Sequence, residues 1–209
     1  MSLPSTIRTH QIARYWYCAE QSRLMILEKF EAPESERMNE GLQIHQWLET
    51  RPKSRKEMEL FESLKTVKLQ RKFENIDVVA HPDDLDVLGR NAVQIIEYKT
   101  TDNTSIKPWK SSIAEYQLKI YCWVLEPLLK QLGYYLTHYH SLIFLSKHGV
   151  FLRKITVEKD NYCTERMLKE IFGFWKTGEP LIAPMKWKCK DCSKIFRERC
   201  RVQRDMNEA

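Results

Sequence analysis

At 209 residues the chain is long enough to bury one sizeable core, and its length gives no reason to invoke two. With 43% hydrophobic and 30% charged residues it has the balance of an ordinary folded protein, which excludes a disordered or fibrous polypeptide. The net charge of +6 is uneven: eight basic residues from Lys186 to Arg204 face only Asp191 and Glu198, a local excess equal to that of the whole chain.

That tail and a second basic run from Lys53 to Lys72 suit a polyanion partner, although a solvated surface has the same composition. No run approaches the roughly 20 apolar residues of a membrane span, and Met1 to Gln11 lacks the apolar centre of a signal peptide. The expected location is therefore the cytoplasm, without a membrane partner. Thiols stay reduced there, so the six cysteines read as metal ligands or buried thiols rather than as disulfides.

In chain order, Ile12, Tyr15, Trp16, Ala19, Leu24 and Ile26 predict one helix over Arg8 to Phe30, stopped by Pro33. A second helix is predicted from Glu36 to Glu49, followed by a polar loop from Thr50 to Lys56. From Leu64 to about Thr101 the pattern becomes strand-like. Ile76 to Val79, Leu85 to Leu88 and Ala92 to Tyr98 are the strands, and Gly89-Arg90-Asn91 is a hairpin turn. After a polar loop over Asp102 to Trp109, Ser111 to Leu132 reads as a long amphipathic helix, kinked at Pro127 and stopped at Gly133. Strands over Leu142 to Leu145 and Val150 to Val157 come next, joined at Lys147-His148-Gly149, and then a last full helix from Asn161 to Lys176. This order implies a mixed α+β or α/β class without internal repeats.

The segment from Asp83 to Lys99 carries the chemistry. A turn centred on Arg90 pairs residues whose numbers sum to 180, which sets Asp83 opposite Glu97. Side chains alternate between faces, so Glu97 and Lys99 share a face with Asp83, Leu85 and Val87, while Tyr98, Asp84 and Asp86 lie on the other. Parity thus selects Asp83 among the three aspartates. Two carboxylates opposite one another at the edge of an apolar surface repel and resist desolvation. A hard divalent cation such as Mg²⁺ or Mn²⁺ compensates them and keeps positions open for water and phosphate. Lys99 is placed to orient or deprotonate the attacking water, or to stabilise charge developing on phosphorus.

With these motifs in view, the sequence resembles the PD-(D/E)xK nuclease superfamily, and within it the RecB-like branch with an iron-sulphur cluster that includes CRISPR-associated RecB-like exonucleases. Gly41-Leu42-Gln43-Ile44-His45, Ala80-His81-Pro82-Asp83, Ile95-Ile96-Glu97-Tyr98-Lys99-Thr100 and Gln117-Leu118-Lys119-Ile120-Tyr121 carry the resemblance, in family order over nearly the whole chain. It implies a restriction-endonuclease-like core: a central mixed sheet flanked by helices. It also implies that His45, Asp83, Glu97 and the Tyr98 backbone carbonyl bind the catalytic metal, with Lys99 as the catalytic lysine. Gln117 and Tyr121, four apart on one helix face, would look toward the active site and the DNA.

Cys189-x2-Cys192-x7-Cys200 places three thiols in one short basic segment, a spacing that favours a shared metal. The resemblance supplies Cys18 as the fourth ligand of a [4Fe-4S] cluster, which staples the first helix to the tail; Zn²⁺ on the same four thiolates is the alternative. Cys122 and Cys163 read as buried thiols. The expectation is one nuclease domain over 1–209, with an iron-sulphur lobe built from about 8–30 and 181–204. Its expected activity is metal-dependent exonuclease cleavage of single-stranded or frayed DNA ends, in CRISPR adaptation beside integration proteins or in DNA repair. A non-catalytic DNA-end binding module and a zinc-stapled nucleic-acid binding protein are the competing classes.

Overall fold

A computed structural model describes residues 3–30, 36–101, 106, 108–184, 186–190, 192 and 194–202, with residues 36–38, 108–110, 186 and 187 described by backbone alone. The hairpin is the best place to begin. Strand β4 (Asp84–Leu88) pairs antiparallel with β5 (Ala92–Thr100), and Asp84 opposes Ile96, Leu85 opposes Ile95 and Leu88 opposes Ala92. This is the register in which paired numbers sum to 180. Gly89 enters the turn with a φ of +61°, a left-handed conformation that glycine adopts without strain.

On its other edge β5 runs parallel to β7 (Tyr139–Leu145), and its first residues pair with the two-residue β6 (Tyr135–Leu136). β7 continues antiparallel to β8 (Phe151–Glu158), which completes a mixed sheet in the order β4-β5-β7-β8. A smaller sheet joins β1 (Thr6–Arg8), β3 (Ile76–Val79) and β2 (Gln70–Phe73) in the order β1-β3-β2.

Parallel neighbours cannot be joined by a tight turn, and the crossover from β5 to β7 is the long helix α5 (Pro108–Gln131). From Leu118 to Leu125 every residue of α5 except Lys119 is buried, so the helix needs partners on nearly all sides. It finds them in β5 to β8, in β2 and in α6 (Asn161–Thr177). The same burial explains Pro127. A proline at that position cannot donate to the carbonyl of Trp123, and Arg71 of β2 donates to it instead at 2.8 Å while its guanidinium lies 4.1 Å from the Trp123 ring. The helix therefore runs through Pro127 to Gln131, and Gly133 follows with a φ of +82°.

Helix α3 (Glu36–Glu49) covers the opposite face of the main sheet, where Ile44, Ile96, Tyr98 and Leu145 form a second apolar cluster. Among the described residues no helix is long and apolar enough to cross a membrane.

Several predicted elements differ from the observed ones. The helix expected over Arg8 to Phe30 is three pieces: α1 (Thr9–Ala13), a 3₁₀ turn (Arg14–Trp16) and α2 (Ala19–Leu27). Cys18 sits at the break with extended backbone, in the position just before α2, without a side-chain bond to the helix end. Arg8, the expected helix start, is the last residue of β1. The loop expected up to Lys56 and the strand region expected from Leu64 are both invaded by α4 (Arg55–Lys65). Its signal is a capping box: Ser54 accepts the Glu57 N–H at 3.2 Å and Glu57 accepts the Ser54 N–H at 2.5 Å. Cys122 is buried as expected, whereas Cys163 is half-exposed in the first turn of α6. Pro33, residues 102–105 of the expected polar loop, Asp191 and Arg204 lie outside the described residues.

Candidate active site

Pro82 has no N–H to give to a neighbouring strand, and β4 begins two residues later, so Asp83 lies just beyond the first paired residue. One of its carboxylate oxygens accepts the Tyr98 backbone N–H at 2.7 Å, and the other lies 3.0 Å from His45 Nδ1 on α3. That contact raises the His45 pKa, against the lowering effect of burial. The register thus continues one step past β4 and brings Asp83 to the Glu97–Tyr98 step of β5.

Glu97 is 1% exposed. Its Oε1 lies 2.5 Å from Lys99 Nζ, whereas its Oε2 is buried without a hydrogen-bond partner. Burial is the chief reason its carboxyl is pushed up to about 7; Lys99 pulls it down and the neighbouring Asp83 pushes it further up. Burial also acts to lower Lys99, but Glu97 and Asp83 outweigh it and its ammonium is held above the ordinary value. Lys99 Nζ additionally donates to Gln117 Oε1 at 3.2 Å, and Gln117 Nε2 donates to Tyr121 Oη at 2.6 Å. His45 with Asp83, and Glu97 with Lys99, Gln117 and Tyr121, are therefore two neighbouring polar groups drawn from α3, the hairpin and α5, close enough for Asp83 to act on the Glu97 carboxyl.

Tyr98 points away from these groups into the Ile44 cluster. On that same face Asp84, 2% exposed, is neutralised by Arg51 at 2.6 Å and Lys53 at 2.7 Å, and Arg51 also reaches Asp86 at 3.1 Å. The alternation of faces thus separates a carboxylate with two cations of its own from a buried carboxylate with an oxygen left over. Arg51 and Lys53 were missed in the sequence. The signal available was the same parity argument, since Asp84 and Asp86 on the far face require counter-charges.

A cavity of about 400 Å³ opens directly beside Asp83. His45, Leu48 and Glu49 of α3, Phe61, Leu64 and Lys65 of α4, and Leu85 of β4 line it together with Asp83.

At the second predicted site the four cysteines come from separate pieces. Cys18 precedes α2, Cys189 lies in α7 (Lys186–Lys190), Cys192 is in the following turn, and Cys200 follows α8 (Lys194–Arg197). None of the six cysteines is in a disulfide. Burial chiefly pushes the Cys18 thiol up to about 11, with Cys200 and Cys192 adding to the rise, and burial, Cys200 and Cys189 raise Cys192 in the same way. The tail is held to the N-terminal segment by other contacts. Glu20, fully buried, accepts from both Arg23 and Arg201 at 2.8–2.9 Å, Arg199 reaches Glu28 at 2.9 Å, and Lys188 donates to the Tyr17 carbonyl at 2.8 Å. Among the described residues no three His, Cys, Asp or Glu side chains are already gathered as a metal cage at either site.

Comparison with known proteins adds three findings. A family model described as the PD-(D/E)XK nuclease superfamily matches residues 18–201. The crystal structure of SSO0001 is similar in fold, with a TM-score of 0.51 and 18% sequence identity over 97% of this chain and 89% of that one. No curated protein matches.

Proposed function

The chain belongs to the PD-(D/E)XK nuclease superfamily, and from that membership we propose that it is a metal-dependent deoxyribonuclease working through Asp83, Glu97 and Lys99. The observation that carries this reading is the second oxygen of Glu97, buried, partnerless and next to another carboxylate. An unsatisfied buried acceptor costs about 1–3 kcal/mol and more when charged, and a cation shared by Glu97 and the adjacent Asp83 would offset that cost.

The donors fit a hard cation. Nucleases of this superfamily typically use Mg²⁺ or a similar divalent metal, and two carboxylates and a backbone carbonyl suit Mg²⁺ or Mn²⁺, with an imidazole as a softer donor beside them. Asp83, Glu97, His45 and the Tyr98 carbonyl would hold it. When bound, such an ion polarises the phosphoryl oxygens and lowers the pKa of a water molecule. Lys99, held between Glu97 and Gln117, supplies a fixed positive charge where negative charge builds on phosphorus. Gln117, backed by Tyr121, keeps that ammonium in place.

The finer reading follows the resemblance to RecB-like nucleases: an exonuclease on single-stranded or frayed DNA ends, serving CRISPR adaptation beside integration proteins or DNA repair. Residues 8–30 and 181–204 would form its iron-sulphur lobe, with Cys18, Cys189, Cys192 and Cys200 holding a [4Fe-4S] cluster. None of these four cysteines is in a disulfide, as thiolate ligation of a metal requires. Anaerobic purification separates the cluster from Zn²⁺, since the first is brown and the second colourless. Activity is tested with end-labelled DNA and Mn²⁺, which should shorten progressively, while Lys99→Ala leaves it intact. Salt-dependent binding without cleavage under any divalent cation, unchanged by Lys99→Ala, would instead identify a DNA-end binding module.

A further inference from the structure

The cavity beside Asp83 is larger than a hydrated ion requires, and its walls have the wrong chemistry for one. Leu48, Phe61, Leu64, Leu69, Leu85 and Tyr98 make it apolar, and Leu64 and Leu85 are 5% and 1% exposed. Its polar groups divide into two sets. His45 and Asp83 form the end that belongs to the candidate metal site, whereas Glu49, Lys65 and His81 are exposed at the rim. The apolar part exists because β4 is the edge of the main sheet, and α4 packs against that edge without filling the space between itself and α3.

An apolar concavity with a few convergent polar groups, about 300–1,000 Å³ in size, is the usual form of a small-ligand site. At about 400 Å³ this one is near the lower end. A DNA strand with its phosphate at Asp83 and Glu97 has only two kinds of group to offer a neighbouring pocket: charged backbone and flat, largely apolar bases. The walls suit a base. Phe61, with Lys53 Nζ 4.3 Å from the ring centroid on one side, leaves its other side as an aromatic surface; Glu49 and His81 can meet the polar edge of a base, and Lys65, paired with Glu62 at an exposed position, can exchange that partner for the next phosphate.

Resting on the nuclease reading above, we propose that this cavity receives one nucleobase, that of the nucleotide flanking the cut phosphodiester. A base held there is unstacked and unpaired, so only a strand that is single or frayed at that position can be cut. Extruding a base from an intact duplex carries an energetic penalty that a mismatched or single-stranded base largely escapes. The pocket thus makes the demand for an unpaired strand a property of the Leu48, Phe61 and Leu64 walls rather than of the metal site.

Two measurements test it. In the first, single strands carrying one abasic nucleotide at successive positions are cut by wild-type protein with Mn²⁺. The expected result is a drop in kcat/KM of about tenfold at one position only, the scale of losing one base–aromatic stack, and Phe61→Ala should make that position insensitive. In the second, 2-aminopurine is scanned along a strand bound to Lys99→Ala protein, where one position should change its emission sharply. Cleavage indifferent to abasic position together with uniform emission overturns the pocket and leaves the nuclease standing. Absence of cleavage on every strand overturns the nuclease reading, and the emission scan then still decides whether a base enters the cavity.

Discussion

Replacing Glu97 with Gln should make the metal-free protein more stable while it abolishes cleavage. The native carboxylate leaves Oε2 buried without a partner and lies beside Asp83. Relief of an unsatisfied, charged acceptor and of a like-charge neighbour amounts to about 2–3 kcal/mol. The variant gives up the charge of its pair with Lys99 but keeps an amide oxygen for that ammonium, which also retains Gln117, so the loss is about 1 kcal/mol. The net gain is about 1–2 kcal/mol, which at about 2–4 °C per kcal/mol for a chain of this size raises Tm by about 2–8 °C. Thermal melts of both proteins with a chelator at neutral pH read this directly. Repeating them with Mg²⁺ or Mn²⁺ should raise the wild-type Tm and leave the variant unmoved, because only a ligand that binds the folded state stabilises it. A chelated variant that melts below wild type, or that gains as much from the metal, would refute the argument.

The other predictions address separate parts of the molecule. Asp83→Asn should abolish cleavage, whereas Asp84→Asn should lower stability and leave cleavage in place, since Arg51 and Lys53 hold Asp84 on the opposite face; equal activity loss in both removes the parity argument. Glu20→Ala should cost about 3–5 kcal/mol in denaturant melts by leaving two arginines without their buried partner. Burial acts to raise Glu20, but hydrogen bonds from Arg201 and Arg23 prevail and bring it down to about 2. The folded value is thus below the unfolded one, and wild-type stability should fall as pH drops from about 4.5 toward 2, a slope missing in the variant. His140 is fully buried and its Nδ1 accepts the Ile95 N–H at 3.1 Å, so burial, helped by Lys159, pushes its pKa down to about 4. The unfolded chain takes up that proton first, and stability should decline by up to about 3 kcal/mol between pH 6.5 and 4; His140→Asn, which keeps an acceptor without a basic site, should flatten that decline in denaturation curves taken across the range.

The hairpin could be read from the sequence because its information is local. A turn at Gly89 to Asn91 and a period of two fix which residues oppose and which share a face, and the observed pairs follow that arithmetic from Leu88 to Asp84. Helix α6 and strands β5 and β7 were equally legible, each being a sustained apolar pattern, and β8 was legible from its β-branched and aromatic residues. What failed was local pattern overridden by distant partners. The Arg8 to Phe30 stretch has helical spacing throughout, yet β1 is drawn out by parallel pairing with β3, some seventy residues away. Likewise β2 carries Gln70, Arg71 and Lys72, a poor strand sequence, and is held by β3 and by the Arg71 contact to Trp123. The Glu20–Arg201 contact spans most of the chain, and neither residue differs in sequence from a surface charge.

The two polar groups at the hairpin show why their parts are spread over three elements. A single strand can present Glu97 and Lys99 on one face, but it cannot also bury the carboxylate, because an uncovered sheet face is open to water. Burial comes from α5, whose apolar circumference brings Leu118 and Tyr121 against the sheet and carries Gln117 to Lys99 at the same time. α3 closes the other side and contributes His45 to Asp83. The Glu97 carboxyl is held near 7, its orphan oxygen kept from water, only while both helices stay packed. Core substitutions in α5 that loosen this packing, far from any ligand, should therefore act on the chemistry through the hydration of Glu97 before they act on the fold.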